Sequence, residues 1–317
     1  MRTKYKKFLK ILIYVGLFVL VGSFIPDFLK LNNLINITRQ SASTALCAVG
    51  VSVVIITGNG NTDLSITGMV VLTPMICALL MLAGVPVFLS IIISLVVCTL
   101  LGVLNGFLVT NIGIPAFIAT YVMGQVAAGV STVISQGRSI GGLPQVYGAI
   151  GNSSVGIIPI STVIMVVYVA AATVLMTRTR LGKHIYALGG SELTVKYEGI
   201  DVKRLNYFAF GFSAFCTGSA GIIISTQLSA VQSTIGANSL LDAVAAAGIG
   251  GISMLGGEGK IWCAAIGALF MGCLRNVLTN LGMHPYFQNL FIGVIIIAIV
   301  AVAVFNKNRR VENSKIF

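Results

Sequence analysis

Long apolar segments alternate with short polar connections along almost the whole chain. A helix needs roughly 20 apolar residues to cross the hydrocarbon core of a bilayer. Ten segments meet this requirement and each predicts one transmembrane helix: 8–25, 41–57, 65–84, 86–109, 115–136, 156–177, 205–226, 239–255, 261–281 and 286–305. No connection is long enough for a sizeable soluble domain. We therefore predict that 1–317 forms a single all-α integral membrane domain.

The basic residues mark three places along this pattern. Fifteen of the 20 Lys and Arg lie at the N-terminus, in 178–204 and in the C-terminal tail. Cytoplasmic loops and tails carry excess Lys and Arg, so all three places should lie on one side of the membrane. Six predicted spans precede 178–204 and four follow it. Both numbers are even, so the two termini and this loop are predicted to be cytoplasmic.

Composition excludes two other classes of protein. The chain is 56% hydrophobic and only 9% charged, whereas a soluble domain is usually about 25% charged. The net charge of +12 follows the loops between apolar segments and forms no patch with interleaved aromatic residues, so nucleic acid is not an expected partner.

An internal repeat accompanies the ten segments. LGVLNGFLVTNIGIPAFIATYVMG (101–124) resembles MGCLRNVLTNLGMHPYFQNLFIGV (271–294), with Pro115 and Pro285 in matching places. Five spans separate the two copies, so they would cross the membrane in opposite senses. Inverted repeats are typical of transporter folds.

The repeat extends towards the N-terminus of each copy, which gives halves of about 41–136 and 205–305. Each half contains a polar, Gly-containing break between apolar helices, at 57–68 and at 229–242. Matched interruptions of this kind are the best sequence indication of a transporter's solute pathway.

Polar residues in and beside the spans are the candidates for that pathway. Asp63 precedes an apolar run, where a carboxylate can cap a helix N-terminus, and it could also face the conduit. Asp242 lies within an apolar run and is costly there unless it faces protein or water. Uncharged polar groups could form hydrogen bonds with a hydroxylated solute or hydrogen bonds between helices. The candidates are Asn61, Asp63, Ser65, Asn105, Gln232 and Asp242.

The basic loop 178–204 has an ordered local pattern. Ser191 is a suitable helix N-cap, Glu192 suits the positive first turn, and Lys196 suits the last turn. Gly199 then ends the helix, as Gly commonly does. The pattern predicts a short cytoplasmic helix of about two turns, entered through Gly189 and Gly190.

Four segments together resemble a known family. YALGGSE with EGI (186–200), DLSITG (63–68), LNGFLVTNIGIPAFIAT (104–120) and GIGGISMLGGEG (248–259) are similar to motifs of the permease subunits of ribose-type sugar ABC importers, within the branched-chain amino-acid permease superfamily. In that family the short cytoplasmic helix docks on a separate ATP-hydrolysing subunit. The resemblance implies this role for Gly189, Gly190, Ser191, Glu192, Glu198 and Gly199.

The resemblance also implies a type II ABC importer-like fold with no catalytic residues and no cofactor of its own. ATP and Mg²⁺ would be bound by the partner ATPase. An extracytoplasmic binding protein would deliver the solute, and a second permease, identical or similar, would complete the pathway in the bacterial cytoplasmic membrane. The solute would be a small neutral one, a monosaccharide such as ribose, with nucleosides and other polyols as alternatives.

Two other functions remain open at this point. A secondary transporter of a small polar solute would need intramembrane charges for ion coupling, and Asp63, Asp242 and Arg275 are the available ones. An intramembrane enzyme would need two convergent acids. The sequence contains no GxxxxGK[ST] phosphate loop, so ATP hydrolysis by this chain is not expected, and it offers no pattern of metal ligands.

Overall fold

The structure is a computed structural model, and it describes residues 28–284, 286–294 and 297. The predicted first span, 8–25, and both basic termini lie outside these residues, as do Pro285 and the last part of 286–305. The described part is helical apart from one two-stranded hairpin. Its α-helices are α1 Leu31–Ile56, α2 Ile66–Leu82, α3 Val87–Phe107, α4 Ala116–Ser135, α5 Gln145–Asn152, α6 Ile160–Arg178, α7 Arg180–Gly190, α8 Glu192–Tyr197, α9 Val202–Leu228, α10 Ser239–Ile249 and α11 Ile261–Asn280.

Three shorter features complete the chain path. Leu108–Ile112 continues α3 as a π-helix, strands β1 (Ser154–Val155) and β2 (Ile158–Pro159) pair antiparallel before α6, and residues 286–294 are helical.

Six of the described helices are long and apolar enough to cross a membrane, namely α1, α3 with its π-turn, α4, α6, α9 and α11. The helix α2 has 17 residues and keeps Pro74 in its interior. The number of ten spans therefore remains a prediction, although each predicted segment within the described residues contains a helix.

The predicted span 239–255 is wrong in its extent. The helix α10 has only 11 residues, and at 1.5 Å per residue it is about 16 Å long, roughly half of a bilayer core. Gly251, Gly256 and Gly257 follow it with φ values of +80°, +91° and +69°. Left-handed conformations suit glycine; Gly251 follows the end of the helix directly, and Gly256 and Gly257 shape the folded loop after it.

The helix α1 begins ten residues before the predicted boundary at 41. Neighbouring helices form hydrogen bonds with this extension. Asn33 and Asn276 of α11 exchange side-chain amide hydrogen bonds of 3.0 and 2.9 Å, and the Gln227 side chain donates to the Arg39 carbonyl at 3.1 Å. The polar residues before 41 therefore do not mark the start of this helix.

The helices α1 and α9 form the centre of the molecule and pack against each other. The helices α2, α3 and α5 pack on α9, while α6, α10 and α11 pack on α1. Small residues permit the close central contact: a Cβ placed on Gly50 of α1 would lie 3.0 Å from the Ser213 carbonyl oxygen of α9. This kind of approach is typical of helix packing in membranes.

The connections between helices gather at two ends. The connections that follow α1, α3 and α10 lie at one end. We call it the basic end because it carries Arg178, Arg180, Lys183, Lys196, Lys203 and Arg204. At the other end Ile140 pairs with Val231 as an isolated bridge, and Asn152 donates to the Thr226 carbonyl at 3.0 Å. The connections after α4, α5 and α9 thus lie at the end opposite the basic end.

Candidate functional site

Two short helices, α7 and α8, form a platform across the basic end. The Thr179 hydroxyl caps α7 by accepting from Gly182 N at 3.2 Å. Ser191 caps α8 by accepting from Thr194 N at 3.3 Å, and Gly199 follows the helix with φ +71°. The prediction of a short helix between Ser191 and Gly199 is therefore confirmed. The interpretation of Gly189 and Gly190 as a loop entry is wrong, because both residues form the last turn of α7.

A junction of glycines fixes this platform to both halves of the chain. Gly189 packs so closely that a Cβ there would lie 1.9 Å from the Ile56 carbonyl oxygen at the end of α1 and 2.3 Å from Gly257 N. Gly257 N in turn donates to that same carbonyl at 3.0 Å. Gly58 and Gly256 touch each other beside Gly189. Three chain segments thus meet where side chains would prevent contact.

Side chains extend the same attachment beyond the glycines. Glu192 at the start of α8 accepts a hydrogen bond from the Asn59 amide and forms a 2.6 Å ion pair with Lys196. On α7, the Tyr186 hydroxyl donates to the Gly259 carbonyl at 2.8 Å. The platform is therefore held at the connection after α1 and at the connection after α10.

The outer surface of the platform is unusually apolar for its position. Leu193 and Tyr197 stand four residues apart on α8 and are 66% and 89% exposed, while Val195 between them is buried. Residues four apart lie on one face of a helix. A short helix that presents an apolar pair away from the protein, and that is anchored firmly behind, is suited to docking on a partner. Glu198 and Gly199 are exposed beside it.

A second group of candidates forms a polar cluster inside the helix bundle. Asp63 is 1% exposed. Its Oδ1 accepts from the backbone N–H and the hydroxyl of Ser65, at 2.9 and 2.6 Å, and its Oδ2 accepts from the Ser213 hydroxyl of α9 at 2.7 Å. Asn105 of α3 donates to Ser65 Oγ at 3.3 Å. Three of the six pathway candidates are thus brought together.

This cluster fixes the start of α2. The N-cap residue of α2 is Ser65, and no side chain among the described residues caps its first turn. Asp63 accepts instead from the N–H of Ser65 itself, in the turn before the helix, so its predicted role as the N-cap is wrong. The sequence contained no signal for Ser213, because it lies 150 residues away in an otherwise apolar helix. Asn105 Oδ1 has no hydrogen-bond partner among the described residues.

The other three pathway candidates lie elsewhere. Asn61 donates to the Thr57 hydroxyl at 3.1 Å and stays beside the break. Gln232 is exposed in the second break, at the end opposite the basic end. Asp242, in the first turn of α10, accepts from Arg275 of α11 through two hydrogen bonds of 2.9 and 2.7 Å. The structure therefore pairs Asp242 with a cation that the sequence analysis considered only for ion coupling.

One span exposes polar groups where lipid would otherwise lie. The helices α3, α4 and α6 are similarly exposed, but the mean hydropathy of α4 is 1.6 against 2.9 and 2.2 for the other two. The exposed residues of α4 include Tyr121, Gln125 and Thr132. Their spacing of four and seven places them on one helix face, a stripe that the sequence analysis did not single out.

Together, the bundle and its anchored platform define a multi-pass membrane permease. The chain belongs to the family described as branched-chain amino acid transport system / permease component, whose model matches residues 33–300. Among curated relatives, the ribose import permease protein of Haemophilus influenzae is 34% identical over 93% of this chain and 91% of its own length. The ribose import permease protein of Bacillus subtilis is 34% identical over 90% of both chains.

A relative with a different named sugar is equally similar. The D-allose transport system permease protein of Escherichia coli K12 is 36% identical over 94% of this chain and 90% of its own length. No solved structure matches the chain significantly.

Proposed function

We propose that this chain is the membrane-spanning permease subunit of an ABC importer for ribose or a similar monosaccharide. The observation that carries the proposal is the platform α7–α8, which presents an exposed apolar pair outward and is fixed to two separate connections behind. Relatives named as ribose and D-allose permeases support the choice of sugar. ATP and Mg²⁺ would be bound by the partner ATPase, which docks on α8.

The basic end faces the cytoplasm in this proposal. It carries the six basic residues of 178–204, and excess Lys and Arg mark cytoplasmic connections. The platform then lies on the side where ATP is available. An extracytoplasmic binding protein would deliver the solute at the opposite end, where Gln232 and the second polar break are exposed.

The packing of the helices supports an inverted repeat. The pairs α9–α3, α9–α2 and α2–α3 have counterparts in α1–α11, α1–α10 and α10–α11. Gly102 packs on Gly211 of α9, and Gly272 packs on Ser41 of α1. Gly102 and Gly272 stand 170 residues apart, and so do their contact residues Ser41 and Gly211. The two repeated segments, which begin at 101 and 271, have the same separation.

The repeat also relates two polar contacts. Asn105 of α3 reaches Ser65 at the start of α2. Arg275, which stands 170 residues after Asn105, reaches Asp242 in the first turn of α10. Each half therefore uses the same helix position to hold the start of its short, interrupted helix.

The exposed polar stripe of α4 supports a pathway shared with a second permease subunit. A glutamine facing hydrocarbon is costly because its amide loses its hydrogen bonds to water. Gln125 therefore favours a neighbour that supplies water or polar groups, and a second copy of the chain across a solute pathway would supply both. The clean apolar exposed face of α3, which includes Val96, is suited to lipid.

Cysteine substitution tests this placement. In a chain whose native cysteines are replaced by alanine, Gln125→Cys should react with a hydrophilic thiol reagent and should cross-link to the same residue of a second copy. Val96→Cys is the matched control and should do neither. Cross-linking through Val96 instead, with an unreactive residue at 125, would place lipid against α4.

A pull-down from the native membrane in mild detergent tests the function itself. We expect a Walker-motif ATPase and a sugar-binding protein to accompany the chain, and reconstituted complex to take up ribose or a related sugar on addition of ATP. Uptake driven by an ion gradient without ATP would establish the secondary transporter instead. Recovery of the chain alone, under conditions that preserve a control importer, would also reject the ATPase docking.

A further inference from the structure

A basic and aromatic pocket lies at the basic end, away from the platform's exposed apolar pair. It has a volume of about 470 Å³ and is formed where the last turns of α6, the middle of α7 and the first turn of α11 meet. Lys183 of α7 and Lys260, the residue before α11, both line it. The two positive charges come from segments far apart in the sequence, and the fold brings them to one cavity.

The rest of the lining is not that of an ordinary solvated surface. Trp262 and Tyr186 contribute aromatic rings, and Met176 of α6 lies behind them, buried in the core. The Lys260 ammonium stands 5.9 Å from the centre of the Trp262 ring, within the range of a cation–π contact. Trp and Tyr are enriched where membrane helices meet the headgroup region.

The N-terminus of α11 adds to this positive field. The helix begins at Ile261, which lines the pocket, and no side chain caps its first turn. The dipole of a 20-residue helix favours an anion at that position. Two lysines, an aromatic ring and a helix N-terminus thus converge at the ends of two membrane-crossing helices.

We propose that this pocket binds the headgroup phosphate of an anionic phospholipid. The lysines would contact the phosphate and any further anionic group, and the Trp262 side chain, which is 36% exposed, would lie against the upper acyl chains. A basic pocket between transmembrane helices on the basic side of a membrane protein is a common way to bind such headgroups. A bound headgroup would also bridge α7 and α11 beside the Tyr186–Gly259 hydrogen bond. The proposal does not depend on which solute is carried.

The chain offers a direct optical test, because Trp262 is its only tryptophan. The full chain is placed in liposomes of phosphatidylcholine to which brominated phosphatidylglycerol or brominated phosphatidylcholine is added at equal mole fractions. Bromine quenches a tryptophan that it contacts. We expect the anionic lipid to quench Trp262 at a lower mole fraction, with a preference of about fivefold for each lysine.

Two double variants and a competition complete the test. Lys183→Gln with Lys260→Gln should remove the preference, and Lys183→Arg with Lys260→Arg should keep it. The charge-matched control is Lys203→Gln with Arg204→Gln, at the same end but outside the pocket, and it should also keep the preference. Equal quenching by the two lipids, or an equal loss in the control, would overturn the proposal. Displacement of the anionic lipid by inorganic phosphate would assign the pocket to a free anion instead.

Discussion

A single methyl group at Gly189 should separate ATP hydrolysis from transport. In Gly189→Ala the new Cβ would lie 1.9 Å from the Ile56 carbonyl oxygen and 2.3 Å from Gly257 N, distances that force the three segments apart. Overpacking of this kind costs about 1–3 kcal/mol. Loss of the Gly257–Ile56 hydrogen bond adds about 1 kcal/mol. Together these costs lower the equilibrium constant for attachment of the platform by a factor of at least about 30.

Gly190→Ala is a close control for this change. The neighbouring residue lies in the same helical turn, and a Cβ there would meet nothing within 4 Å. Alanine improves helix propensity equally at both positions. The two variants therefore differ in the contact with Ile56 and Gly257 and share the effect on the helix itself.

The assay measures ATP hydrolysis and solute uptake on one preparation of proteoliposomes containing the complete importer. Gly189→Ala should lower uptake per ATP hydrolysed at least tenfold relative to Gly190→Ala, which leaves the contact with Ile56 and Gly257 intact. Thermal unfolding of both variants shows whether the bundle itself remains folded. An unchanged ratio in a folded Gly189→Ala complex would refute the reasoning that the junction transmits motion from the platform.

Three further changes test other contacts. Glu192→Lys breaks the bonds to Asn59 and Lys196 and should lower ATP-driven uptake without lowering the amount of chain in the membrane; normal uptake would remove Glu192 from the docking surface. Arg275→Met leaves Asp242 buried without its cation and should destabilise the protein by about 3–5 kcal/mol in thermal unfolding. If loss of the ion pair is the cause, adding Asp242→Leu should recover part of this stability. Asp63→Asn should preserve uptake while Asp63→Ala lowers stability by about 1–3 kcal/mol; a folded Asp63→Asn variant without uptake would show that the charge itself takes part in transport.

The predictable parts of the fold are those determined by residues that are close together in the sequence. Membrane thickness sets the length of apolar segments, so most spans could be placed within a few residues. The Ser191 cap was visible because cap and helix are adjacent in sequence. The extent of α10 was not, because Ala- and Gly-rich sequence satisfies a hydropathy criterion whether or not its glycines adopt positive φ. The helix Arg180–Gly190 was missed because paired glycines usually interrupt helices, and here close packing against Ile56 and Gly257 favours the first of them, Gly189.

Tertiary partners were beyond the reach of the sequence for a different reason. Asp63 needs hydrogen-bond donors once it is buried, but its sequence neighbourhood indicates only Ser65; the second donor, Ser213, is supplied by the packing of α9. The same holds for Asn59, whose importance appears only when α8 lies beside it. A buried or anchored polar group predicts that a partner exists, and the fold then decides which residue it is.

The two polar breaks lie at opposite ends of the molecule, and this has a consequence for how motion would pass through it. The first break is in direct contact with the platform through Asn59 and Gly58. The second, around Gln232, has no such direct contact among the described residues; it lies beside α10, whose far end joins the loop held by Tyr186 and Gly257. A displacement of the platform would therefore act on the first break through its own contacts and on the second through a rigid 11-residue helix. In the proposed importer, one moving part would in this way act on both ends of the candidate pathway.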